Sequence, residues 1–367
     1  MKEDVLKGVK RLFFFKEWFN FAQVMATQRI EYIDAMRGFT MILVVYSHIC
    51  RYCLGDWTMG WNDVFFIFRL PCFFFISGWL FYQVGRQWNG VTIKNVIRHK
   101  FMVQIVPTII FLFLLAPPPL FFSRLGATKG GYWFTFALFE FFVIYILSVL
   151  VFRKSKHADL WMLLMALLLS SSAFCYDIYY NVYFSKMGWV KSMLGFLSFT
   201  TWRYYLFFFL GTLAKKYFDT FLAWTKNRLL VVVAIVGFVV IAMIPHSDNA
   251  PLEYFIFAVG GILGMSLVFA FFRHFGSWFT KDRPLGCCLQ NIGTRTLDIY
   301  LLHYFVLPRF LLFHKDQLLL FDSKTWEFLV AIILALMVVA VCLIASYIIR
   351  LSPPLGHYLF GVKYERK

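Results

Sequence analysis

The feature that most constrains this chain is a succession of apolar stretches, each close to the thickness of a bilayer, divided by short segments that hold most of the charge. A helix rises ~1.5 Å per residue, so about 20 apolar residues cross the ~30 Å of hydrocarbon. Ten stretches meet or approach that length: 34–54, 64–84, 101–116, 132–152, 160–176, 190–213, 229–244, 252–272, 296–313 and 326–351. Composition supports lipid as the solvent. Of the 367 residues 61% are hydrophobic, 21% aromatic and only 15% charged, with 47 Phe and 12 Trp, more than a water-facing surface tolerates. The expected fold is all-α, a polytopic integral membrane protein with about ten transmembrane helices.

Lys and Arg set the direction, because cytoplasmic loops carry the excess. Counted in alternate loops they divide 25 against 8, with the richer set including both ends of the chain, so both termini are expected in the cytoplasm. The remaining three, Arg37, Arg69 and Arg203, lie inside apolar stretches. The net charge of +17 is thus dispersed as topology signals and builds no basic domain, which argues against nucleic acid as a partner. Residues 1–29, basic and Phe-rich, read as an amphipathic segment lying on the cytoplasmic leaflet; 30–355 form the transmembrane domain and 356–367 a cytoplasmic tail. The leader lacks a small-residue cleavage site, so the first span is expected to remain as an anchor. Seven cysteines show no paired metal spacing, and no metal is expected; Cys50 and Cys53 form the one close pair.

A charge within a span costs at least ~2.5 kcal/mol on insertion scales, so each marks a candidate site. The candidates are Arg37, His48, Arg69, Glu140, Arg203 and His303, with Asp34 at a helix start. Eleven steps of about 100° return His48 to within about 20° of the azimuth of Arg37, so both face one side of the first helix. Depth at ~1.5 Å per residue groups them into two stations. Arg37 and Arg203 belong to an inner station, His48, Arg69 and Glu140 to an outer one. Arg69 with Glu140, or Asp34 with Arg37, also read as ion pairs that only hold helices together, and His303 reads equally well as a buried imidazole bonded to a carbonyl.

Four segments resemble a known family. Asp34-Ala-Met-Arg37-Gly38 followed by Tyr46-Ser-His48 is similar to the Arg-x10-His signature of membrane-bound acyltransferase family 3. Phe68-Arg-Leu-Pro71 through Ser77-Gly78 resembles its second helix, Thr296-Leu-Asp-Ile-Tyr300-Leu-Leu-His303 its late helix, and Trp202-Arg203 through Gly211 a further segment. Many relatives carry His where this chain has Arg69, and a guanidinium stays protonated, so no base role transfers to it.

The resemblance implies an acyl-CoA-dependent O-acyltransferase, most often an acetyltransferase, of a bacterial cytoplasmic membrane. Its donor would be cytosolic acetyl-CoA and its acceptor a carbohydrate or glycolipid at the outer face. Arg37 and Arg203, with Trp202, Ser77 and His303 from the matching segments, are the expected donor-binding residues. His48 is the expected general base, Glu140 its orienting partner, and Arg69 either an oxyanion stabiliser or a grip on an acidic acceptor. Direct transfer and an acyl-His48 relay both stay open, as do the oligomeric state, a homodimer included, and the acyl chain. The rival readings are an acyltransferase of a small diffusible molecule and a transporter or flippase, which also places charges between helices; no inverted repeat relates the two halves.

Overall fold

The computed structural model describes residues 30–115, 129–179, 193–245, 249–321 and 323–362. The amphipathic leader expected at 1–29 lies outside the described residues, as do residues 363–367 of the tail. Among the described residues every regular element is helical.

Seven helices are long and apolar enough to span: α1 (Glu31–Cys53), α2 (Asn62–Phe81), α3 (Gly90–Leu115), α4 (Trp133–Phe152), α5 (Ala158–Tyr179), α9 (Ala250–His274) and α12 (Lys324–Arg350). Between them lie α6 (Tyr205–Lys216), α7 (Phe218–Lys226), α8 (Arg228–Met243), α10 (Pro284–Thr294) and α11 (Thr296–Val306), and α13 (Pro353–Phe360) closes the described chain. Two bent pairs raise the count to nine if each is one span: α7 with α8, bent by 77°, and α11 with Arg309–Leu318, bent by 53°. The protein is a multi-pass membrane protein, and among the described residues seven to nine helices or bent pairs are candidates to span, against the ten stretches expected.

The difference arises at 190–213. There the helix α6 has 12 residues, about 18 Å at 1.5 Å per residue and too short to cross by itself. Ser198 adopts a left-handed backbone (φ 50°) and a 3-10 turn, Phe199–Tyr204, leads into α6. A left-handed residue cannot continue a right-handed helix, so the chain enters α6 at an angle. Ser170 of α5 holds this turn by donating to the Arg203 carbonyl at 2.6 Å.

Prolines shape two more elements. In α3 a π-helical turn, Phe101–Ile105, precedes Pro107, where Val106 N–H donates back to Phe101 O. Proline offers no N–H and its ring crowds the carbonyl four residues earlier, and the widened turn relieves that crowding. The break after α11 falls at Leu307-Pro308, since the residue before proline disfavours the α region.

Glycines set the closest approaches. A Cβ on Gly38 of α1 would strike the Leu289 carbonyl, and one on Gly293 of α10 the Asp34 carbonyl. Gly78 of α2 and Gly211 of α6 do the same against Phe208 and Phe75. Each pair lets two helices touch backbone to backbone, which is how helices associate where lipid removes the hydrophobic incentive. Residues that the charge alternation assigns to one side do meet: Lys216 pairs with Asp159 at 2.6 Å, and Gly60 N–H donates to Glu327 at 2.7 Å. A buried cluster ties α11 to α12: Asp298 accepts from Arg350 Nε at 2.8 Å, from its Nη2 at 2.9 Å, and from Ser346. The cysteines of the described residues, Cys50 and Cys53 included, are free thiols.

Candidate active site

The site is built around His48, near the end of α1. Its Nδ1 lies 2.7 Å from Nε2 of His303 on α11, and the two ring planes are 10° off parallel with centroids 4.9 Å apart. His303 is fully buried and its Nδ1 lies 2.7 Å from the Tyr300 carbonyl and 3.2 Å from that of Ile299. A carbonyl only accepts, so His303 Nδ1 carries the proton. Neutral His303 then offers a lone pair at Nε2, and His48 Nδ1 must be the donor to it. The proton on His48 is thereby placed at Nδ1, which leaves its Nε2 as a lone pair with no hydrogen bond among the described residues.

Helix α11 is held in register for this contact. Tyr300 Oη accepts from Phe134 N–H at 3.1 Å and donates to Gly131 O at 3.1 Å, and Tyr132 Oη donates to Leu301 O at 2.8 Å. Gly131 has φ +95°, and a Cβ there would lie 2.8 Å from the Tyr304 ring, so both counts favour glycine.

His48 opens onto a cavity of about 550 Å³. Arg69, Arg203, Tyr300, Trp57 and Trp133 share its walls, with Thr200 and Thr201 from the 3-10 turn. A second, narrow pocket of about 40 Å³ is lined by Arg37, Ser77, Gln104, Thr135 and Thr296. The two share Phe73, Phe134 and Tyr300, so these three rings form the partition. Two oxygens of the inner lining, Gln104 Oε1 and Thr296 Oγ1, are buried without a hydrogen-bond partner.

Arg69, 4% exposed, donates from one terminal nitrogen to Ser47 Oγ and, at 2.8 Å, to Asn62 Oδ1, and its guanidinium lies 4.7 Å from the Phe66 ring centroid. Arg203 is paired with Asp177 at 2.8 Å.

The structure therefore brings His48 and Arg69 together as expected, and Arg37 with Ser77 at a separate inner pocket. Three placements differ. Arg203 joins the cavity of His48 rather than Arg37, because the 3-10 turn replaces the continuous helix on which its depth was reckoned. Glu140 is not part of the cavity wall; its Oε2 accepts from Trp202 Nε1 at 2.7 Å. A match in depth says nothing of azimuth, and α4 turns Glu140 toward the turn that carries Trp202. Both residues thus pin α4 to that turn, and neither faces the base. His303, expected at the donor site, is the direct partner of His48, and its bond to a carbonyl is what sets the tautomer. The sequence reading missed Gln104, Thr296 and Asn62, uncharged side chains in or beside apolar runs; Pro107, three residues on, was the one available signal near Gln104. Among the described residues no group of three or more His, Cys, Asp or Glu stands ready to hold a metal.

An imidazole with a directed lone pair, sunk in a helical bundle and open to a cavity, is the arrangement that general acid–base chemistry requires. The family profile described as an acyltransferase domain matches residues 30–347, and the chain belongs to acyltransferase family 3. Neither a curated protein nor a solved structure gives a significant match.

Proposed function

We propose that this acyltransferase moves an acyl group, acetyl in the first instance, from cytosolic acyl-CoA to a hydroxyl of a carbohydrate or lipid-linked glycan at the outer face of a bacterial cytoplasmic membrane. The observation that carries the reading is the His48 Nε2 lone pair, directed by His303 and opening on a cavity large enough for a sugar.

The inner pocket suits the donor. Arg37 offers charge for CoA phosphates, and the orphan oxygens of Gln104 and Thr296 call for N–H or O–H donors, which the amides and hydroxyl of a pantetheine arm supply. Extended, that arm reaches about half of the ~30 Å hydrocarbon thickness, enough to bring the thioester toward His48. Passage requires the Phe73 and Phe134 rings to part. Their edge-to-face contact, with centroids 4.9 Å apart, contributes only about 1 kcal/mol beyond burial.

In the reaction the acceptor hydroxyl oxygen bonds to the thioester carbonyl carbon while His48 Nε2 takes its proton. The carbon–sulfur bond then breaks, and the proton on His48 passes to the departing thiolate, giving ester and free CoA. During the interval His48 is an imidazolium with N–H at both nitrogens, and His303 Nε2 accepts from Nδ1 throughout. This is the part a third group plays for other catalytic histidines. Direct transfer needs no acyl-enzyme.

The test supplies radiolabelled acetyl-CoA to purified protein and follows label for wild type beside His48→Ala and Arg37→Ala. The reading expects consumption by wild type, loss of about 10²–10⁴-fold in His48→Ala with CoA binding kept, and weakened CoA binding in Arg37→Ala. A wild type that neither binds nor consumes acetyl-CoA would overturn it and make transport the next assay.

A further inference from the structure

The outer cavity holds a buried charge with no counter-charge among the described residues. Arg69 is 4% exposed, and its bonds to Ser47 and Asn62 and its stacking on Phe66 are all to neutral groups. The cavity wall contains Arg69, Arg203 and His48 and, among the described residues, no Asp or Glu. Arg203 already has Asp177; Arg69 has no carboxylate partner among the described residues. A buried guanidinium is costly unless paired, since desolvation in a low-dielectric interior is repaid only by an opposite charge.

The bonding pattern also says where that partner would sit. Ser47 and Asn62 engage one terminal nitrogen, which leaves the other terminal nitrogen and Nε with three N–H groups. None of these is among the buried atoms that lack partners, so they keep accessible surface, and Arg69 lines the cavity. Two nitrogens side by side form the fork that grips two oxygens of one carboxylate or phosphate, which a lone carbonyl oxygen does not fill.

We infer that the acceptor is anionic, a glycan bearing a carboxylate or phosphate that Arg69 holds while a neighbouring hydroxyl meets His48. The inference rests on reading the outer cavity as the acceptor site of an acyltransferase. Arg69 then selects among acceptors; Trp57, Trp133 and Tyr300 give the sugar ring apolar faces on which to stack.

The experiment measures the thermal midpoint of the nanodisc-held protein against methyl β-D-glucuronide, inorganic phosphate and the neutral methyl β-D-glucoside at one ionic strength. Wild type, Arg69→Gln and Arg69→Lys are compared, each also with CoA. The inference expects at least one anionic probe to stabilise wild type where the glucoside does not. Arg69→Gln weakens that response about 10- to 100-fold, the range of a charge-assisted pair, with Arg69→Lys between. Arg69→Lys keeps the charge and serves the same comparison if Arg69→Gln does not fold. Equal responses to charged and neutral probes, no response to either anion, or anion binding that survives Arg69→Gln would overturn it. Turnover of succinyl-CoA beside acetyl-CoA covers the other source of a carboxylate: selective loss of succinyl-CoA consumption in Arg69→Gln would place the anion on the donor and sink the proposal. Failure of CoA alone to stabilise wild type counts against the acyl-CoA reading, while CoA binding without anion binding counts against the anionic acceptor alone.

Discussion

Substituting His303 tests whether His48 is held in one tautomer by its neighbour. In His303→Leu the His48 Nδ1–H loses its acceptor at 2.7 Å. A neutral hydrogen bond contributes about 1 kcal/mol net, and a donor left buried without a partner costs about 1–3 kcal/mol. The ring can escape that cost by moving its proton to Nε2, which removes the lone pair from the cavity. At 1.4 kcal/mol per decade the expected fall in kcat is about 10- to 100-fold, less than deletion of the base itself. KM for the donor should hold, since His303 lines neither pocket. The conservative variants sharpen the test. A Gln amide oxygen takes the place of imidazole Nε2, whereas Asn reaches only as far as Nδ1. The expected order of kcat is therefore His, then Gln, then Asn and Leu together. The assay is acetyl-CoA turnover in nanodiscs, normalised to monodisperse protein on size-exclusion chromatography. Equal kcat for Gln and Leu, or loss that tracks only the folded fraction, would refute the tautomer argument and reduce His303 to packing.

Other outcomes follow from the same geometry. Gly38→Ala places a methyl against the Leu289 carbonyl and should lower stability by about 1–3 kcal/mol in thermal unfolding. Gly90→Ala, with nothing within 4 Å of its Cβ, should change little in the same assay. Glu140→Gln keeps an oxygen to accept from Trp202 Nε1, so kcat should stay within about 3-fold. A loss of 100-fold would restore Glu140 to the catalytic set. Gln104→Leu removes a pantetheine partner and should raise KM for acetyl-CoA about 5- to 10-fold with kcat little altered, read from initial rates.

Where the sequence was legible, a single physical rule was at work. Six long helices, α1, α2, α4, α5, α9 and α12, follow directly from unbroken hydropathy, and the pairing of Lys216 with Asp159 agrees with the alternation of basic loops. The tilt of that rule fails where backbone conformation takes over. Hydropathy over 190–213 cannot register a left-handed Ser198, so the short α6 and the position of Arg203 were hidden. The helix α10 is short and carries exposed Cys287 and Cys288, which mark it as peripheral, yet Gly286 and Gly293 press it against its neighbours. In the site, the 11-residue spacing of Arg37 and His48 put them on one face of α1 at two depths, and they line two pockets. The His48–His303 contact joins residues 255 apart in the chain, a distance no local pattern spans.

The most direct measurement is a cryo-EM structure of the nanodisc-held protein with a non-hydrolysable acetyl-CoA analogue. The account predicts the pantetheine arm beside Gln104 and Thr296, the Phe73 and Phe134 rings parted, and the acetyl carbonyl in the cavity that His48 Nε2 faces. An analogue bound elsewhere, or one that leaves the carbonyl on the Arg37 side of a closed partition, would contradict it.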